Sequence, residues 1–111
     1  MKIGDIVHLN WTPQSGNEMA KNHYGVILSC SEFNQLIPRV MVAPITSKFH
    51  EAYSPLRVDL NSINKKVEGY ICIDHLRAID PETRNLKLIG DEISFPCREQ
   101  CRFVLKKIFS V

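Results

Sequence analysis

Proline and glycine cut this 111-residue chain into short extended pieces, and the longest stretch free of both is the one past Pro96. The clearest piece is Val26-Ile27-Leu28: three consecutive apolar residues, two of them β-branched, mark a buried strand over Tyr24 to Leu28. Before it, Ile6 to Leu9 reads as a first strand after a Gly4-Asp5 turn. Trp11-Thr12-Pro13 ends that strand, because proline has no N–H to give a ladder and constrains its predecessor. Arg39 to Ala43 is a third strand, closed by Pro44. Leu56 to Leu60 alternates as a half-exposed strand and Gly69 to Ile73 is a fifth. Ala78 to Asp80 is a short strand before Pro81, and Asn85 to Ile89 alternates until Gly90 and Asp91 break it. Ser31 to Leu36 carries a short helical turn, while Phe49 to Pro55 has no clear period.

Beyond Ser94 the period changes. Ser94 is placed to cap a helix, with Pro96 in the first turn, where its missing N–H costs nothing. Cys97, Cys101, Val104, Leu105 and Ile108 fall on one face, and Arg98, Glu99, Arg102 and Lys106 on the other. Lys106 and Lys107 suit the negative end of the helix dipole. One helix after a series of short strands predicts a single domain over residues 1–111, mostly β with a C-terminal helix: a small antiparallel barrel closed or plugged by that helix. The chain has no internal repeat, low-complexity tract or linker.

A net charge of +2 is too small to demand a nucleic-acid partner and does not oppose one. No apolar run reaches membrane-spanning length and the first residues lack a signal-peptide core, so a cytoplasmic location is expected. The four cysteines, Cys30, Cys72, Cys97 and Cys101, form no CxxC pair. Three lie inside apolar patterns, which points to reduced buried thiols rather than a disulfide frame or a zinc site. No metal and no cofactor are expected.

Two strand–loop junctions concentrate the chemistry. The loop from Gln14 to Asn22 is long for so small a domain, a length associated with function, and His23 lies where it enters a strand. The junction Val42 to Ser47 has the reverse order, strand first and loop after, and offers the hydroxyl of Thr46. The two junctions are expected to face each other. By residue type alone, His23 reads as a surface or hydrogen-bonded structural histidine, Thr46 as a turn cap, Asp74 with Arg77 as an ion pair at a strand end, and Glu18 as a solvated loop residue. Trp11 suits a core or dimer contact better than a base-stacking role, and His8 and His50 carry no assigned role.

The order of blocks adds to this. GDIVHLNWTPQSGNEM, then HYGVILS, then EFNQL with VAPITS, then CIDHLRAID, follow one another at compatible spacing over about residues 4 to 80. In that order they resemble the MazF/PemK (Kid) toxins, the ribonuclease members of type II toxin–antitoxin pairs. The resemblance implies an SH3-like small barrel of the CcdB/PemK type, usually a homodimer. It implies metal-independent cleavage of single-stranded RNA at short sequences, leaving a 2′,3′-cyclic phosphate and a 5′-hydroxyl. A cognate antitoxin protein that covers the RNA groove is implied as partner.

The resemblance also selects residues. His23 and Tyr24 stand where the family has Arg-Pro, Cys72 where some members have arginine, and His75 where the family has glutamine. The expected catalytic set is His23 for proton transfer, Thr46 as donor to the scissile phosphate, Arg77 as cation, and Asp74 orienting His23 or reading a base edge. Glu18, Lys21, Ser47, Lys48 and His75 are expected to contact RNA, with His75 also a lesser candidate for proton transfer. Lys21, Arg39, Lys48, Arg57, Lys65 and Lys66 form a diffuse phosphate-attracting surface if they cluster, and ordinary solubilising charge if they do not. Two other readings use the same fold: a CcdB-like toxin acting on a protein such as DNA gyrase, and a non-catalytic RNA-binding barrel.

Overall fold

The computed structural model describes residues 1–11 and 22–110, Asn22 through its backbone only. Thus the expected Gln14 to Asn22 loop, with Glu18 and Lys21, lies outside the described residues. The element order is β1 (Asp5–Asn10), β2 (Asn22–Ile27), α1 (Ser31–Leu36) and β3 (Val40–Thr46), then a 3-10 turn over Glu51–Leu56. There follow β4 (Arg57–Asp59), β5 (Tyr70–Cys72), a second 3-10 turn over Ile73–His75, β6 (Arg77–Ile79), β7 (Lys87–Glu92) and α2 (Phe95–Phe109).

The strands form one seven-stranded sheet in the order β4-β5-β3-β2-β1-β7, with β6 also paired to β3. Every pairing is antiparallel. The barrel is not closed by a strand pair. Its ends, beyond β4 and β7, meet at an isolated bridge between Ser62 and Ile93. Two backbone bonds flank that bridge, from Ile63 N to Glu92 O (2.9 Å) and from Ser94 N to Asn61 O (2.8 Å). Asp91 ties the same corner: its carboxylate accepts from the backbone N–H groups of Asn64 (2.8 Å) and Lys66 (3.1 Å). Burial works against its charge, but these donors outweigh burial and hold its pKa below the usual carboxylate value.

Two apolar clusters lie on opposite faces of the sheet. One gathers Ile6, Val26, Ala43, Ile45, Val58, Ile71 and Ile73 under Cys97, Cys101 and Val104 of α2. The other gathers Val7, Leu9, Trp11, Ile27, Val40, Val42 and Ile79. Along β1, β2 and β3 the residues alternate between the two, the period-two pattern of strands buried on both sides. α2 starts as its sequence indicates, the Ser94 hydroxyl accepting from Cys97 N at 3.3 Å. Its expected apolar face thins toward the end, where Ile108 is exposed. Cys97 Sγ donates to the carbonyl of Asp59, fastening the helix to the end of β4.

Three boundaries depart from the sequence expectation. Pro44 does not close β3, which runs on to Thr46. β6 pairs with β3 as far as Val42 and β5 takes over at Ile45, so Pro44 sits at the changeover, where no neighbour needs an N–H. Gly90 and Asp91 do not end β7 either. They form a bulge in it, the register against β1 shifting between Asp5–Glu92 and Val7–Leu88, with Gly90 at φ +74°. The aperiodic Phe49 to Pro55 stretch contains most of the first 3-10 turn.

Gly25 allows the second cluster to form. It pairs with Val7 and Pro44, and a Cβ there would stand 2.6 Å from Val42 Cγ1 and 3.0 Å from Trp11 Cζ2. The Gly25→Ala variant is therefore expected to lose about 1–3 kcal/mol by overpacking. Urea unfolding followed by Trp11 fluorescence measures it, and an unchanged midpoint would show that Trp11 does not rest on that glycine.

Candidate functional site

Directly paired residues of an antiparallel ladder share a face, so the register itself assembles the site. Gly25 pairs with Pro44, Val26 with Ala43 and Ile27 with Val42. The paired register ends at Gly25–Pro44, and His23 and Thr46 each lie two residues beyond it on their own strands. The His23 ring is hydrogen-bonded to the backbone of Ile45, the residue before Thr46. On the far side of β3, Thr46 pairs with Tyr70, and Val42 with Arg77. Leu9 lies beside His23 on β1. His23, Thr46, Tyr70 and Arg77 thus project on one sheet face, the face of the second apolar cluster.

β2 begins at Asn22, two residues before the expected strand, so His23 is its second residue at the entry from the loop, and its side chain is half-buried. Burial lowers its pKa from the ordinary 6.5, the Ile45 carbonyl opposes that shift, and His8 adds to it. The imidazole is therefore neutral at pH 7. Nε2 has no hydrogen-bond partner among the described residues. A buried, unpartnered ring nitrogen costs free energy unless a ligand meets it, and it is the atom free to accept a proton.

Thr46 is buried, and its Oγ1 accepts from Lys48 N at 3.2 Å. It fills the turn-capping role and still has its hydroxyl hydrogen to donate. Ser47 and Lys48 are exposed just beyond it.

Asp74 is not paired with Arg77, nor does it orient His23. Its carboxylate receives Arg57 Nε at 2.9 Å and Nη2 at 3.3 Å, and His75 Nε2 lies 3.4 Å away. Arg57 comes from β4, where it pairs with Cys72, and its side chain is only 9% exposed. Its guanidinium also lies over the Tyr53 ring, 5.4 Å from the centroid. Arg77 instead sits over Trp11 at 5.8 Å. Trp11 is buried in the second cluster, so the core role holds for it. Burial pushes the Cys72 thiol up to about 11, which leaves it uncharged beside Arg57.

Of the described members of the diffuse basic surface, three are engaged by partners away from His23 and Thr46. Arg39 lies 3.7 Å from Asp80, Lys66 Nζ donates to the Ile89 carbonyl, and Lys65 donates to Asn61. Arg57 was the residue sequence reasoning misplaced, as one member of that surface. Its alternation with Val58 signals that it faces away from the α2 side, but only the β4–β5 register shows that it reaches Asp74. Among the described residues no cluster of histidine, cysteine and carboxylate groups could hold a metal ion.

The fold defines a small SH3-like barrel protein with a C-terminal helix, with polar side chains on one face of its central strands. Residues 2–109 match the family model of the PemK-like, MazF-like toxin of type II toxin–antitoxin systems, and the chain belongs to that family. It is 35% identical over 89 residues to the endoribonuclease toxin ChpB of Escherichia coli K12, spanning 78% of this chain and 76% of ChpB. MazF from Deinococcus radiodurans superposes with a TM-score of 0.85 at 26% identity, covering 100% of this chain and 97% of MazF. A MazE–MazF structure from the same organism gives a TM-score of 0.82 at 25% identity, with 100% and 97% coverage.

The pKa of His23 is lower folded than unfolded, so the unfolded chain binds more protons between the two values. Its contribution to stability is complete above the unfolded pKa of about 6.5 and falls as pH drops through that value toward the folded one. The His23→Gln variant should therefore lose less stability than wild type between pH 7 and pH 5, by denaturant unfolding. Equal losses would show that His23 is not desolvated. Removing the partner of Arg57 by Asp74→Ala strands a covered cation and is expected to cost about 2 kcal/mol. Thermal unfolding reads this as a fall in Tm.

Proposed function

We propose that this toxin is an endoribonuclease that cuts single-stranded RNA without a metal, using the face that carries His23 and Thr46. The observation that supports this most directly is that β2 and β3 are antiparallel neighbours, with His23 and Thr46 each two residues past their last paired positions and His23 Nε2 without a partner among the described residues. Neutral His23 takes the proton of a ribose 2′-hydroxyl. The 2′-oxygen attacks the neighbouring phosphorus, the bond to the 5′-oxygen breaks, and the products are a 2′,3′-cyclic phosphate and a 5′-hydroxyl end. Thr46 donates to a non-bridging phosphate oxygen, where charge grows during attack. Arg77 adds a fixed cation on the same face.

Asp74, held by Arg57, keeps His75 close, and His75 is the second imidazole able to protonate the leaving oxygen. Lys48 and Ser47, exposed at the end of β3, are placed to meet the RNA backbone. Glu18 keeps the RNA-contact role that its motif position implies, and Lys21 the one expected of a basic residue in the same loop.

A cognate antitoxin protein is the expected partner, supported by the MazE–MazF structures that share this fold. A homodimer in the cytoplasm completes the reading. No helix among the described residues is long and apolar enough to cross a membrane.

The test is a short single-stranded RNA incubated with purified protein in excess chelator. His23→Ala and Thr46→Val are each expected to lower kcat/KM about 100-fold. End analysis should find cyclic phosphate and 5′-hydroxyl. Full cleavage by both variants would displace the site, and intact RNA with inhibited gyrase would displace the activity.

A further inference from the structure

Past Thr46 the chain turns sharply and raises an aromatic ring beside the site. The turn is pinned by the Lys48 N–H donating to Thr46 Oγ1 at 3.2 Å. Phe49 then leans on Tyr70, the ring centroids 5.5 Å apart and the planes tilted by 55°. Tyr70 is the strand partner of Thr46 and is half-buried. Gly69 allows that close fit, since a Cβ there would collide with the Thr46 carbonyl. Phe49 itself is 59% exposed, a large cost in open apolar surface for a ring that the core does not use. The exposed lysine Lys48 precedes it.

An exposed ring, backed by a second ring and set next to the threonine that meets the phosphate, suits one occupant: a nucleobase. Bases of single-stranded RNA are unstacked and stack readily on aromatic side chains, whatever their identity. We propose that Phe49, seated on Tyr70, is the stacking platform for a base flanking the scissile phosphate. This rests on the ribonuclease reading of His23 and Thr46. The platform fixes the position of the nucleotide and leaves base identity to hydrogen bonds elsewhere, so it sets KM more than kcat.

The experiment compares wild type, Phe49→Ala and Phe49→Trp on one cleavable RNA in which the nucleotides around the cut are made abasic one at a time. Phe103→Ala, an equally open ring on α2, controls for loss of apolar surface. Phe49→Ala is expected to raise KM about tenfold with kcat kept, and Phe49→Trp to restore it. One abasic position should cause the same rise in wild type and none further in Phe49→Ala. If wild type cleaves and Phe49→Ala has an unchanged KM, or if the two losses simply multiply, the platform is overturned while the ribonuclease reading stands. A change in antitoxin affinity alone would overturn it as well and assign the ring to the protein partner. RNA left intact by wild type overturns the ribonuclease reading and the platform with it.

Discussion

β3 carries the rest of the molecule because strands pair with it on both edges. β2 covers one edge, while β6 and then β5 share the other. The change of partner at Pro44 makes one strand the meeting point of four others' chemistry. His23 arrives from β2, Tyr70 from β5, Arg77 from β6, and Arg57 from β4 by way of Asp74. A proline in the middle of a sheet ordinarily deletes a ladder bond. Here it occupies the gap between two partners, β6 and β5.

The two faces of the sheet differ in what they bury. Under α2 the core is apolar, with Cys97 and Cys101 filling the helix contact as small hydrophobes. On the other face the apolar cluster around Trp11 ends in polar groups where β2 and β3 run out. There each charge is held by a specific contact: Asp74 by Arg57, Arg57 by Tyr53 and Arg77 by Trp11. Fixed charges of this kind do not need to reorganise when a phosphate takes on charge, the condition under which electrostatic stabilisation is largest. Catalysis in this reading depends on position, since the net charge of +2 gives little long-range attraction for RNA.

The amino-acid order alone determined the class of fold and much of the element list. Alternating apolar residues, cut by glycine and proline, mark strands wherever one face is buried, and Ser94 with Pro96 marks a helix start because capping is a local bond. His23 and Thr46 stood out in the sequence through their places in an ordered series of motifs, and the proposal that they act together rests on those places. The tertiary structure decided what depends on register. Arg57, not Arg77, meets Asp74, Pro44 continues a strand, Gly90 and Asp91 bulge one, and Arg39, Lys65 and Lys66 take partners away from His23 and Thr46. A strand's own residues state which of its faces is apolar. Which residue of a neighbouring strand lies opposite is set by pairing between segments far apart in the chain, and local sequence holds no record of it.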